Sequence, residues 1–170
     1  MMPFLPQPLS KARTTPTSDE EDQEQWRQAD EEVRKNLPPG VRLIRTLRGH
    51  TDIIGRIAWS PDGQMLASPS EDRTIRLWGL EAGRCLHTLQ GHTGGVFSVA
   101  FDPTGRILAS GSEDKTVRLW ETVGGRLLRS LTGHQGEVNT VSFNSTGNAL
   151  ASGGQDQTVR LWAIADGRCL

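Results

Sequence analysis

Residues 66–78 of this 170-residue chain, Leu66 through Trp78, return as Leu108 to Trp120 and again as Leu150 to Trp162. A Gly-His pair precedes each copy, at Gly49-His50, Gly91-His92 and Gly133-His134, and the period is 42 residues throughout (92 − 50 = 134 − 92 = 42). A fixed period of this length means stacked supersecondary units, each too small to bury its own apolar surface and completed by its neighbour. Runs such as Thr116-Val117-Arg118-Leu119-Trp120 and Ile107-Leu108-Ala109-Ser110 are β-branched or apolar and lie between Asp-Gly, Thr-Gly and Gly-Gly turn signals. They predict strands of about five residues rather than helices.

Four residues keep constant offsets inside every copy. His50, Ser68, Asp72 and Trp78 lie 18, 4 and 6 apart, and so do His92, Ser110, Asp114 and Trp120, then His134, Ser152, Asp156 and Trp162. Indole N–H only donates, hydroxyl and neutral imidazole do both, and carboxylate only accepts. The set can therefore link head to tail, Trp to Ser to His to Asp. That suits burial, where an unpaired polar group costs about 1–3 kcal/mol.

The Gly-His start, the Asp six residues before a Trp and the 42-residue period resemble the WD-repeat β-propeller family over about residues 41–170. The resemblance implies an all-β fold: a partial propeller of three four-stranded antiparallel blades, the last one truncated, with the four constant residues as structural tetrads. The chain departs from the family in two places. The aspartate that usually follows the Trp is Gly79, Glu121 and Ala163, and Pro69 stands where the other copies have Gly111 and Gly153. Proline removes a backbone donor from an interior strand, so the first blade is expected to be the least well paired.

The net charge of −1 hides a split: residues 1–40 hold 5 basic and 8 acidic residues, residues 41–170 hold 14 and 12. Neither part has the basic footprint of a nucleic-acid binder. No run of 18 apolar residues occurs, so nothing is expected to span a membrane. The first ten residues lack a basic n-region and a cleavage site, which argues against a secretory signal. Cys85 and Cys169 are 84 residues apart, two periods, so they take one position in two blades and are expected to be small buried hydrophobes. The absence of paired cysteines fits a reducing compartment and a cytoplasmic location.

Residues 1–17, with four prolines, read as a disordered leader. Ser18-Asp19-Glu20-Glu21 has capping-box spacing and opens a helix expected over about 19–36, ended by Pro38-Pro39-Gly40. Trp26, Ala29, Val33 and Leu37 make a narrow apolar stripe on it, the face of a solvated helix or of one that caps a blade or binds a partner. This helix and its leader form one segment, 1–40, and the repeats the other, 41–170. Val41 to Leu47 aligns with Gly83 to Leu89 and is expected to be an outer strand, followed by strand triplets at about 53–80, 95–122 and 137–164.

Ser, His and Asp are also the residue types of a hydrolase triad. Three identical sets, each with a Trp spaced to reach the hydroxyl, argue for structure over catalysis, and no oxyanion hole or cleft is written nearby. Metal binding is equally disfavoured, because each His already has an Asp in its own copy. No phosphate loop is present, and no cofactor is implied.

What remains is surface. The resemblance implies partner docking at Ile53, Gly55 and Glu71; at Gly95, Phe97 and Glu113; and at Glu137, Asn139 and Gln155, positions that vary between copies while the frame does not. Phe97 is the one aromatic among them and the expected anchor, and the glutamates make the face acidic. A substitution at Glu113 is expected to cost under about 0.5 kcal/mol, against about 2–4 kcal/mol at the adjacent Asp114.

The function expected is a non-catalytic scaffold for protein partners. The alternative is a regulatory or sensor segment of a larger signalling protein of kinase or nucleotide-binding type, or a propeller fragment with no function of its own. Family propellers close with about 4–8 blades, and three leave a sheet face bare at each end. The chain is therefore expected to self-associate or to require further blades.

Overall fold

Short β-branched runs separated by tight turns fold here into antiparallel sheets, one per repeat. The computed structural model describes the backbone of residues 18–170 and the side chains of residues 23–170. The leader expected over residues 1–17 and the side chains of the capping box lie outside these. The described residues form two units divided between Thr46 and Leu47.

In the first unit, α1 (Ser18–Lys35) places Arg34 and Lys35 in its last turn, where cations complement the helix dipole. An i,i+4 pair, Glu31 with Lys35, closes to 3.1 Å. Trp26 and Val33 of the apolar stripe are about half exposed, at 44% and 48%. Gly40, at φ 84°, turns the chain after the two prolines. Val41 to Leu47 was expected as an outer strand, and here the structure differs: residues 41–50 carry no strand. A strand is defined by its partner, and among the described residues no sheet edge pairs with this segment.

The second unit holds three sheets. Blade one comprises β1 (Ala58–Trp59), β2 (Met65–Pro69), β3 (Ile75–Gly79) and β4 (Arg84–Leu89), hydrogen-bonded in that order. Blade two repeats it with β5 (Val96–Phe101), β6 (Ile107–Ser112), β7 (Val117–Glu121) and β8 (Leu127–Leu131). Blade three has β9 (Val138–Phe143), β10 (Ala149–Gly154) and β11 (Val159–Ala163), with a single bridge from Trp162 to Cys169 where a fourth strand would run. The fold is thus all-β with one helix, and its last blade is truncated.

The innermost strand of blade one is two residues long, against six in β5 and β9. The cause lies at Pro69. Its carbonyl accepts from the Gly55 N–H at 2.9 Å, but it has no N–H to return. Arg56, the counterpart of Ser98, which pairs with Gly111 in blade two, turns its N–H to the Phe97 carbonyl at 2.8 Å. A Cβ on Gly55 would run into that carbonyl, so glycine is required for the approach.

The core lies between sheets. Ile75, Leu77 and Leu89 of blade one pack with Val96, Val99, Leu108 and Trp120 of blade two. Val117, Leu119 and Leu131 of blade two pack in the same way with Val138, Val141, Leu150 and Trp162 of blade three. Both cysteines were expected to be buried, and neither is: Cys85 is half-buried and Cys169 exposed, both as free thiols. Cys85 sits on the outermost strand of its blade and Cys169 at an isolated bridge, and among the described residues no further strand covers either side chain.

Candidate functional site

Each repeat builds one hydrogen-bonded relay beneath its β2–β3-type turn. In blade two, Trp120 Nε1 donates to Ser110 Oγ at 2.9 Å, Ser110 Oγ lies 2.7 Å from His92 Nε2, and His92 Nδ1 lies 2.7 Å from Asp114 Oδ2. The same three links run through Trp78, Ser68, His50 and Asp72, and through Trp162, Ser152, His134 and Asp156, at 2.7–2.8 Å. Because the carboxylate can only accept, Nδ1 carries the ring proton, and in the neutral imidazole Nε2 then accepts from the serine hydroxyl, whose oxygen accepts in turn from the indole N–H. One tautomer satisfies the whole relay.

The carboxylate then holds the turn. Asp114 also accepts from the backbone N–H of Thr93 at 3.1 Å and from both the N–H and hydroxyl of Thr116, at 3.0 and 2.6 Å. The glycine before each His is required as well. Gly91 sits at φ 151°, and a Cβ there would lie 2.6 Å from Arg118 Nη1 and 3.3 Å from Trp120.

Burial alone would raise the Asp72 and Asp114 carboxyls, but hydrogen bonds from Thr74 and His50, and from Thr116 and His92, outweigh it and hold both at about 2. The Thr158 hydroxyl, with Gln135 and His134, holds Asp156 below the usual carboxylate range. Burial pushes the His92 imidazole down from 6.5, with Asp114 opposing it only in part. A histidine that resists protonation when folded makes the unfolded chain bind more protons, so stability falls as pH drops below about 6.5. Carboxylates held low contribute stability that is present above about 3.8 and lost toward pH 2. Melting temperature is therefore expected to be level above neutrality, to decline through the mildly acidic range and to drop more steeply below about pH 4. Thermal melts in a pH series check this, and a flat profile between about pH 7 and 5 would contradict a neutral buried His92.

Chemically the relays are closed. Ser110 is fully buried and His92 is 6% exposed, and the hydroxyl is already engaged on both sides. Among the described residues no group of three His, Cys, Asp or Glu side chains is placed to hold a metal, and no helix is long and apolar enough to cross a membrane.

Above each relay lies a variable rim. The residue before each tetrad Asp donates its N–H to the start of the innermost strand: Glu71 to the Ile53 carbonyl at 2.9 Å, Glu113 to Gly95 at 2.9 Å and Gln155 to Glu137 at 2.8 Å. Glu71, Glu113, Gln155, Ile53 and Asn139 are exposed, and Glu137, Phe97 and Gly55 are half-buried. Gly95 is buried, with Glu71 Cα 3.3 Å from where its Cβ would be. Glu113 was expected to be nearly free of structure, but its carboxylate accepts from the Gly95 N–H at 2.9 Å. Losing that bond makes its substitution cost about 1 kcal/mol.

The face is also not simply acidic. Arg73, Lys115 and Gln157 occupy the turn one residue beyond each tetrad Asp, at φ 68°, 68° and 61°, and all are exposed. These residues were missed in the sequence, although the recurring Asp-x-Thr triplet marks their position.

The sequence model of the family described as "WD domain, G-beta repeat" matches residues 41–79, 83–121 and 125–163. Among curated proteins, the probable cytosolic iron-sulfur protein assembly protein CIAO1 homolog of Ixodes scapularis is 50% identical over 40 residues, 24% of this chain and 13% of that protein. The ribosome biogenesis protein BOP1 homolog of Drosophila virilis is 41% identical over 39 residues, 23% of this chain and 5% of that protein. Protein HIRA of Oryza sativa subsp. japonica is 43% identical over 51 residues, again 5% of its length. The chain thus spans a small part of these relatives. Two solved structures, of the RRP9 WD40 repeats and of U3-55K, superpose with a TM-score of 0.72 at 31% identity, covering 74% of this chain and 40% of theirs.

Proposed function

Because the chain belongs to the WD-repeat family, we propose that it is a non-catalytic scaffold that presents its variable rim to protein partners. One observation carries this reading. The same backbone hydrogen bond fixes Ile53 with Glu71, Gly95 with Glu113 and Glu137 with Gln155, while the pairing of side chains so held, Ile with Glu, Gly with Glu and Glu with Gln, changes from repeat to repeat. A constant frame under a changing surface is what recognition requires and catalysis does not.

Phe97, half-buried between Gly55 and Asn139 in the rim series, is the aromatic anchor. Glu71 with Arg73 and Glu113 with Lys115 alternate sign along the turns, so the partner offers both charges around an apolar centre. The free thiols of Cys85 and Cys169 support a reducing compartment, the cytoplasm in the first instance.

Affinity capture with the full chain and with Phe97→Ala and Asn139→Ala variants tests this reading. A partner held by the wild type and lost from variants that melt normally supports it. Turnover of an ester, peptide or phosphate substrate that disappears in Ser110→Ala would overturn it.

A further inference from the structure

Each repeat contains three turns with one residue at closely similar positive φ, and it fills them in two ways. Gly63, Gly105 and Gly147 take φ 70°, 72° and 74°, and Gly83, Gly125 and Gly167 take 62°, 67° and 74°. At the turn that carries the tetrad Asp, φ is 68°, 68° and 61°, but the residues are Arg73, Lys115 and Gln157. A side chain in this left-handed region crowds its own backbone, a strain that glycine avoids. The backbone demand is alike at all three turns. The long polar side chains at the third therefore answer to something other than the turn.

Nothing within the chain offsets that strain. Arg73 and Lys115 are exposed, and among the described residues neither side chain has a hydrogen-bond or ion-pair partner. The rim glutamates are held differently. Glu113 accepts from the Gly95 N–H at 2.9 Å and Glu137 from the Gln155 amide at 2.8 Å, so each turns an acceptor oxygen into the chain. Among the described residues Glu71 has no such bond. The two cationic turns are also neighbours. A Cβ on Gly95 would lie 3.3 Å from Glu71 Cα on one side and 3.6 Å from Glu113 Oε2 on the other. The Val96 N–H donates to the Ser70 carbonyl at 2.9 Å, which ties the start of β5 to the first of the turns. Gly94 and Gly95 put no side chain between them, and Phe97 follows two residues on.

We propose that Arg73 and Lys115 are specificity-determining contacts that grip an acidic segment of a partner protein, laid across Gly94 and Gly95 toward Phe97. The proposal rests on the scaffold reading and names the chemistry of the partner. Two free cations on adjacent turns stand against one free carboxylate, so a run of Asp and Glu is attracted where a run of Lys and Arg meets like charge. Gln155 and Gln157 are uncharged at the corresponding places of the third repeat, which ends the charged contact at blade two. The strained backbone is the cost of aiming a long cation outward from a tight turn, a position that glycine would leave empty.

Selection of peptides from a displayed random library on the full chain tests the proposal. Recovered sequences should be rich in Asp and Glu and carry an apolar residue. A double variant, Arg73→Gly with Lys115→Gly, should bind a recovered peptide about tenfold more weakly, and wild-type binding should weaken as salt is raised. The double variant should melt no lower than the wild type, because glycine relieves both turns. A melt well below the wild type would place these side chains in the fold and overturn the proposal. Recovered peptides rich in Lys or Arg, or acidic peptides held equally by the double variant, would overturn it and leave the scaffold reading in place. Displacement of the peptide by single-stranded oligothymidylate at equal concentration would overturn it in favour of a surface for any polyanion. Recovery of no peptide above a blank would overturn both readings together.

Discussion

Trp120→Ala is expected to cost about 3–5 kcal/mol, the largest loss of any single side chain we anticipate in the array. Trp120 is 1% exposed and belongs to two structures at once. Its ring packs in the junction between blades one and two, beside Leu77 and Val99, and its indole N–H holds Ser110 at 2.9 Å. Alanine opens a cavity that neighbouring strands, pinned on both edges, cannot collapse to fill. It also leaves the serine hydroxyl without its donor. Against a domain stability of about 5–15 kcal/mol, this is a large share. Trp120→Phe separates the two effects by keeping much of the ring volume and removing only the donor, and it should lose roughly 1–3 kcal/mol. Urea denaturation of the three proteins reads the difference. A Trp120→Ala midpoint close to wild type would mean the junction is not where stability resides.

The second large effect is at Asp114. Its carboxylate takes hydrogen bonds from His92, the Thr93 N–H and both donors of Thr116. Asp114→Ala strands a buried imidazole and releases the turn, a loss of about 2–4 kcal/mol. Glu71→Ala, one residue before a tetrad Asp in another blade, removes an exposed side chain and should cost under about 0.5 kcal/mol. Equal melting temperatures for the two variants would show that the turn holds itself without the relay.

Much of this fold was legible because polar and apolar constraints recur in phase. Leu119 and Trp120 alternate faces in every copy, and only a sheet buried on both sides uses both. The donor and acceptor types at Trp120, Ser110, His92 and Asp114 allow a head-to-tail chain from Trp through Ser and His to Asp, and the atoms meet in that order.

Where the reading failed, the missing information was a partner or a third dimension. Val41 to Leu47 has the composition of a strand, but composition does not supply an edge to pair with. Cys85 and Cys169 were read as buried from residue type, yet burial on an outermost strand depends on what lies outside it. Pro69 did announce a weak blade one; that Arg56 would turn to Phe97 could not be seen without the neighbouring blade. Nor does a glutamate reveal in sequence that it closes on a glycine amide 18 residues away, as Glu113 does on Gly95.

The repeated junction bears on how such a chain can change its length. Leu77 shares a core cluster with Val99, as Leu119 does with Val141 one period on, so an in-frame duplication or loss of one 42-residue unit keeps the apolar character of the seam. Blade number can then drift by recombination, because the apolar surface of the seam is shared even though the contact of Gly55 and Arg56 with Phe97 belongs to the first seam alone. The rim obeys the opposite rule. A duplicated blade two would bring a second Phe97 into a new angular position, altering recognition while leaving assembly untouched. Copy number and specificity are therefore inherited on different residues of the same strands, and either can evolve without disturbing the other.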